Sequence, residues 1–188
     1  MAVSSIGCQR NGCGKLRARV ARDPPLEGES VIDVRIETFK DMHVARIRHV
    51  GPYAEVRPCF ERLFKWAASV GAPTGRVLTL SHDNPNAVAP ERLRSDVCVE
   101  LRTEAVPPPG IETGPVGGGR YGVYRLKGSH EGIDEAYRWL FGAWLPESGE
   151  AVDGRPCMEL YRNTPHDTAS PEHLATDLCV PLRGRGHG

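Results

Sequence analysis

The sequence has no surplus of charge, no long hydrophobic run and few aromatic residues. Its 188 residues carry 24 basic and 24 acidic side chains, so the formal net charge is zero. This balance argues against a general nucleic-acid binder, which needs a basic surplus. No apolar run reaches the roughly 18–20 residues that span a membrane, and the N-terminus lacks the apolar core of a secretory signal. We therefore expect a cytoplasmic protein whose six cysteines are reduced.

Motifs of catalysis and metal binding are also lacking. The sequence contains neither a serine elbow of the G-x-S-x-G type nor an H-E-x-x-H zinc motif. Cys8 and Cys13 have no second pair of ligands nearby to complete a tetrahedral zinc site. The sequence therefore predicts neither a metal nor a cofactor.

The first 30 residues differ in composition from the rest of the chain. Residues 1–22 carry five basic side chains and no acidic one, and Pro24 and Pro25 follow. This composition predicts a disordered arm or a misplaced start site, and a basic arm that touches nucleic acid is the alternative. Residues 31–188 carry 19 basic and 21 acidic side chains, a small acidic surplus. We expect the folded domain over residues 31–183 and a short tail over residues 184–188.

From residue 31 onward, one pattern of secondary structure occurs twice. In the first half, periodicity predicts strands at 31–39, 43–49, 76–81 and 95–101 and a helix over 55–70. In the second half, it predicts strands at 120–126, 156–161 and 176–182 and a helix over 132–145. The proline- and glycine-rich residues 102–119 form a connector with room for one short strand near Ile111. The halves are thus residues 31–102 and 117–183, approximately.

The two halves match residue by residue. Phe60 matches Tyr137 and Phe64 matches Phe141, 77 residues apart, while DVCV at 96–99 matches DLCV at 177–180, 81 residues apart. Each half is therefore a strand–helix–strand–strand unit, which buries little by itself. Two such units are more stable when they share one core about a pseudo-twofold axis. A cleft on that axis would be lined by equivalent positions from both halves.

The strand over residues 156–161 contains the most unusual residue. Alternation predicts that Met158 and Leu160 face a helix-covered core, while Cys157, Glu159 and Tyr161 face the other way. The first half has Thr79 in the place of Glu159 and Ser81 in the place of Tyr161. One half thus offers a carboxylate and a phenol where its copy offers two small hydroxyls.

A glutamate in the middle of a strand indicates either a binding site or an exposed strand face. In a cleft, burial would raise the pKa of Glu159 unless a cation pairs with it. Such a carboxylate suits attraction of a lipophilic cation or general acid–base chemistry. Tyr53, Tyr124 and Trp139 are candidate rings of a cage around the ligand, and core packing is the alternative for each of them.

Four motifs together resemble a known family. They are HVGPYAEV at 49–56, NPNAVAPERLRSDVCVEL at 84–101, GGGRYGVYRLKG at 117–128 and RPCMELYRNTP at 155–165. The chain from about 32 to 183 is similar to the GyrI-like small-molecule-binding family, also known as the effector-binding domain of AraC-type and MerR-type regulators. The likeness includes the stand-alone DNA gyrase inhibitor proteins of that family.

The resemblance implies an α+β fold. Duplicated strand–helix–strand–strand units would form a barrel-like antiparallel sheet with two packed helices and a ligand cleft between the halves. It also implies that Glu159 matches the family's pocket glutamate. Many members carry an aromatic residue where this chain has Gly128-Ser129-His130. His130 is therefore either a second polar group at the mouth of the cleft or a solvated turn residue.

Three functions follow from the resemblance and the residues. The first is a cytoplasmic protein that binds a small hydrophobic or cationic xenobiotic, using Glu159, Tyr161, Tyr53, Tyr124, Trp139, His130 and Thr79. The second is a hydrolase of reactive cyclopropane-bearing xenobiotics, in which Glu159 orients or deprotonates water. The third is an inhibitor that contacts DNA gyrase. The protein itself is expected to be a monomer or a dimer. We expect no direct contact with nucleic acid, because the residues before the domain lack a helix-turn-helix pattern. We also expect no contact with a membrane, since no apolar run is long enough to span one.

Overall fold

The computed structural model describes residues 33–72, 74–164, 167–168 and 170–184. The predicted arm over residues 1–30 and most of the predicted tail lie outside these ranges. Among the described residues, no helix is long and apolar enough to cross a lipid bilayer.

The elements follow the predicted order with small shifts in their ends. The first half contains β1 (Val34–Phe39), β2 (Met42–Val50), α1 (Arg57–Ser69), β3 (Thr74–Ser81) and β4 (Arg94–Leu101). The predicted short strand of the connector is β5 (Glu112–Val116). The second half contains β6 (Gly119–Lys127), α2 (Ile133–Trp139), β7 (Cys157–Tyr161) and β8 (Ala175–Pro181). After α2, a π-helical stretch (Leu140–Trp144) leads into the short helix α3 (Leu145–Ser148).

All eight strands form one antiparallel sheet in the order β1-β6-β8-β7-β3-β4-β2-β5. The repeat units β2-α1-β3-β4 and β6-α2-β7-β8 meet at the β7–β3 pair in the centre of the sheet. The edge strand β1 of the first half pairs with β6 of the second half. The connector strand β5, which precedes β6 in the chain, pairs with β2 of the first half. The predicted α+β fold is confirmed, and the sheet remains open rather than closing into a barrel.

Each helix covers the sheet of its own half. Helix α1 carries Pro58 in its first turn, where the missing N–H costs nothing, and is terminated by Gly71, two residues beyond its end, in the left-handed conformation (φ 60°). It buries Leu63 and Trp66 against β2 and β4. Helix α2 and its continuation pack on a separate cluster that includes Leu178 and Val180 of β8. The two helices therefore stand side by side on one face of the sheet.

The opposite face of the sheet has an apolar core of its own, to which no helix contributes. This core includes Met158 and Leu160, so the prediction that they face a helix-covered core is wrong. The helix-covered face carries Tyr161 instead, whose ring contacts Phe60 of α1 at 5.6 Å. The error has a physical reason. Because both faces of the central strands are buried, the alternation of apolar residues does not distinguish one face from the other.

Each half also carries one buried aspartate on the helix-free face, at equivalent positions 81 residues apart. Asp96 is paired with Arg48 and His82. Asp177, which has no exposed surface, is paired with three arginines: Arg35, Arg125 and Arg162. Buried carboxylates are tolerated when they are paired in this way. Burial by itself would raise their pKa, but hydrogen bonds from His82 and Arg48 to Asp96, and from Arg125 and Arg162 to Asp177, hold the pKa of both aspartates below the usual range.

Candidate functional site

The pseudo-twofold axis passes between Thr79 of β3 and Glu159 of β7. These residues occupy equivalent positions in the two halves, and they are also direct partners in the β3–β7 ladder. Both side chains are buried, with 3% of Thr79 and 8% of Glu159 exposed. The largest chemical difference between the halves therefore lies at the centre of the helix-covered face.

A chain of hydrogen bonds joins the polar groups at this centre. The Tyr161 hydroxyl donates to Oε2 of Glu159 over 2.8 Å, and Thr79 Oγ1 lies 3.2 Å from the same hydroxyl. Because a phenol has a single proton and Glu159 accepts it, Thr79 is the donor to Tyr161. Among the described residues, Oε1 of Glu159 accepts no hydrogen bond. One carboxylate oxygen is therefore available to a ligand.

Burial raises the pKa of Glu159 to about 7. The negative charge of Asp134 on α2 adds to this rise, while the hydrogen bond from Tyr161 opposes it. Near neutral pH, the carboxyl is thus poised between its two protonation states. Burial and the nearby carboxylate also raise the pKa of the Cys157 thiol to about 12, so this thiol is protonated and is not a nucleophile at pH 7.

Each of the two helices carries a stacked aromatic pair. On α1, Phe60 contacts Tyr161 edge-on and stacks on Phe64 at 6.1 Å. On α2 and its π-helical continuation, Tyr137 stacks on Phe141 at 6.2 Å. Phe64 and Phe141 are 37% and 42% exposed, which is typical of rings at the rim of a site. The sequence identified these four residues only as apolar positions of the helices, since periodicity does not show which edge of a helix borders a cleft.

Two polar atoms near Glu159 are buried without a hydrogen-bond partner in the part of the chain that the structure describes. One is Nε2 of His130, whose ring lies 5.4 Å from that of Tyr161. The other is the hydroxyl of Tyr137. Burial lowers the pKa of His130 and, with the charge of Glu159, raises that of Tyr137. Both side chains are therefore neutral near pH 7, and His130 is half-buried rather than a solvated turn residue.

The other predicted rings have different roles in the structure. Burial raises the pKa of Tyr53, with a small addition from the charge of Glu159, but its hydroxyl donates to the backbone oxygen of Asp83 over 2.8 Å. Tyr124 and Trp139 contact each other at 5.6 Å and belong to the cluster under α2. No described hydrogen bond or ring contact links either of them to Glu159. The structure thus brings Glu159, Tyr161, Thr79 and His130 together, with Tyr53 at the border.

A concave pocket lies beside this cluster and has Tyr161 among its lining residues. This pocket of about 330 Å³ lies where β3 begins and β7 ends. Two of its arginines have carboxylate partners, since Arg76 binds Glu100 over 2.8 Å and Arg162 binds Asp177 over 2.6 Å. Within the described ranges, no group of three metal-ligating side chains occurs. The buried polar cluster around Glu159 is our candidate site for an organic ligand, because His130 and Tyr137 bury polar atoms there without a partner in the described chain.

Comparison with known proteins identifies the family. The model of the GyrI-like small molecule binding domain matches residues 32–183. A DNA gyrase inhibitor from Edwardsiella piscicida is 35% identical over 157 residues, which cover 81% of this chain and 99% of that protein. The chain therefore belongs to the GyrI-like family and contains a small-molecule-binding domain.

Two solved structures share the fold at low sequence identity. The C-terminal domain of EcmrR has a TM-score of 0.72 and 13% identity, over 81% of this chain and 98% of that one. SAV2435 bound to tetraphenylphosphonium has a TM-score of 0.55 and 11% identity, over 81% of this chain and 94% of that one. At such identities the likeness establishes the fold alone.

Proposed function

We propose that this protein binds bulky lipophilic cations, of the kind met by cells as xenobiotics, in the cleft between α1 and α2. The observation that carries the proposal is the carboxylate of Glu159, which is buried on the pseudo-twofold axis with one oxygen unused. A buried carboxylate without a cationic partner is costly, and a cationic ligand would relieve that cost. The aromatic pairs on both helices offer ring faces to the same ligand.

The family and one relative in fold support this choice of ligand. The family model describes a domain that binds small molecules. The structure of SAV2435 was solved with tetraphenylphosphonium, a bulky lipophilic cation. A cation would favour the ionised form of Glu159, so binding would release the proton that the empty site holds near neutral pH. We place this activity in the cytoplasm, where such compounds reach their targets.

Titration with tetraphenylphosphonium tests the proposal. At pH 8, where wild-type Glu159 is mostly ionised, Glu159→Gln should weaken binding about 30-fold, which corresponds to about 2 kcal/mol. Glu131→Gln is the matched control, because Glu131 is exposed and outside the cleft. Equal affinity of wild type and Glu159→Gln would overturn the role of the carboxylate.

Hydrolysis of electrophilic xenobiotics is the second candidate function. It is favoured by the pKa of Glu159 near 7, which suits a general base acting on water. The protonated Cys157 excludes a thiolate mechanism at that pH. Turnover of a cyclopropane-bearing electrophile that disappears in Glu159→Gln, while the variant retains binding, would establish an enzyme. Binding without turnover would establish a binding module.

Contact with gyrase is a separate possibility that rests on the name of a relative. A supercoiling assay with stoichiometric protein decides it, since inhibition should occur if the contact exists. Full supercoiling activity of gyrase in the presence of the protein would remove this candidate.

A further inference from the structure

The unpartnered atoms of the cleft belong to the second half. His130 and Tyr137 each bury a polar atom that forms no hydrogen bond within the described chain. The His130 ring is 5.4 Å from the Tyr161 ring. Burial raises the pKa of the Tyr137 hydroxyl, and this hydroxyl lies near enough to Glu159 for that charge to add to the rise. Burying an unpaired hydroxyl or imidazole nitrogen is unfavourable, so each such atom calls for an explanation.

The equivalent positions of the first half show that the fold does not require these atoms. Tyr53, which matches His130, has its hydroxyl bonded to the backbone of Asp83 as both donor and acceptor. Phe60, which matches Tyr137, fills the same place on its helix without any hydroxyl. The packing role of both positions is therefore met in one half without an unpaired polar atom. The unpaired atoms of the second half are left for a ligand.

We propose that His130 and Tyr137 form a polar subsite that binds a neutral hydrogen-bonding group of the ligand, such as a hydroxyl or a carboxamide. The proposal rests on the proposed function, because it adds this group to a lipophilic cation held by Glu159. The preferred ligand is then a cation that carries one neutral polar group on its apolar body. Bare hydrocarbon cations bind as well, but more weakly.

The chemistry of the two side chains fits a group that both donates and accepts. The Tyr137 hydroxyl can act in either direction, and Nε2 of His130 accepts or donates according to its tautomer. Since neither side chain carries a charge near pH 7, neither repels a cation. A hydroxyl or carboxamide can pair with both atoms, whereas a second charge on the ligand would be buried without a counter-charge.

Two matched cations test the subsite. One is tetraphenylphosphonium, and the other is (4-hydroxymethylphenyl)triphenylphosphonium, which differs by a single neutral hydroxymethyl group. Wild type should bind the hydroxymethyl compound about fivefold more tightly, as expected for one additional buried hydrogen bond. The ratio of the two dissociation constants should fall to about one in Tyr137→Phe combined with His130→Phe, which retains the rings and removes the polar atoms.

The control variant removes a hydroxyl elsewhere in the same half. Tyr124→Phe should leave the ratio unchanged, because no described contact links Tyr124 to Glu159. A wild-type ratio of one, or a ratio that persists in the double variant, would overturn the subsite while leaving cation binding intact. The proposed function fails separately, if the affinity of either cation is the same in wild type and Glu159→Gln.

Discussion

The two halves of the cleft share one backbone plan and differ in chemistry. At four pairs of equivalent positions, the two halves have different residue types, and the second half supplies a histidine, a glutamate and two tyrosines. The pairs are Tyr53 and His130, Phe60 and Tyr137, Thr79 and Glu159, and Ser81 and Tyr161. A duplicated domain can therefore keep one copy of a position for stability while the other copy acquires a costly functional group.

The helix-free face shows the opposite behaviour. There both halves have the same residue type, since Asp96 and Asp177 are both buried and each is paired with at least one arginine. Agreement between the copies thus accompanies a structural role, and disagreement accompanies the candidate site. The comparison can be tested by changing each kind of position.

The largest effect is expected at the shared aspartates. Asp177→Ala would remove the carboxylate that three arginines share, of which Arg35 also pairs with Glu37, so the free energy of unfolding should fall by about 3–5 kcal/mol. Asp96→Ala should cost less, because Asp96 holds one arginine and one histidine. Urea denaturation of both variants measures the two losses. A larger loss for Asp96→Ala would contradict the ranking.

The next effect is the dependence of stability on pH. Glu159 has a raised pKa, so the folded state binds its proton more tightly than the unfolded state does. Stability should therefore decline as pH rises from about 4.5 to about 7, by about 3 kcal/mol at most. Glu159→Gln should be less sensitive to pH over this range. If urea midpoints of wild type and variant change in parallel between pH 4.5 and 7, the raised pKa is wrong.

The smallest effects have opposite signs in the two halves. Tyr137→Phe removes an unpaired buried hydroxyl and should stabilise the ligand-free protein by about 1 kcal/mol. Tyr53→Phe removes a hydroxyl with two backbone partners and should destabilise it by about 1 kcal/mol. Thermal melts of both variants test this pair. Destabilisation by Tyr137→Phe would show that its hydroxyl has a structural partner.

Much of the fold was accessible from the sequence because it depends on local signals. The repeat, the positions of the strands and both helices, and the pairing of Thr79 with Glu159 as equivalents all followed from periodicity and from comparing the halves. The pairing of β1 with β6 and of β5 with β2 could not be predicted, since long-range strand pairing leaves no local pattern in the sequence.

The parts of the site that the sequence missed depend on orientation. The rotation of α2 decides that Tyr137 reaches the site, while Trp139 on the same helix packs against Tyr124. Periodicity shows which residues share a helix face, but it does not show which edge of that face meets Glu159. Burial of both faces of β7 likewise concealed the direction in which Glu159 points.

We propose that Glu159 neutralises a bound cation. Calorimetric titration of the wild type with tetraphenylphosphonium at pH 7, in buffers of different ionisation enthalpy, tests this role most directly. We expect release of about half a proton on binding, because a carboxyl with a pKa of about 7 is half protonated at that pH and a cation ionises it. Glu159→Gln should release no proton. Binding to the wild type without proton release would contradict the claim.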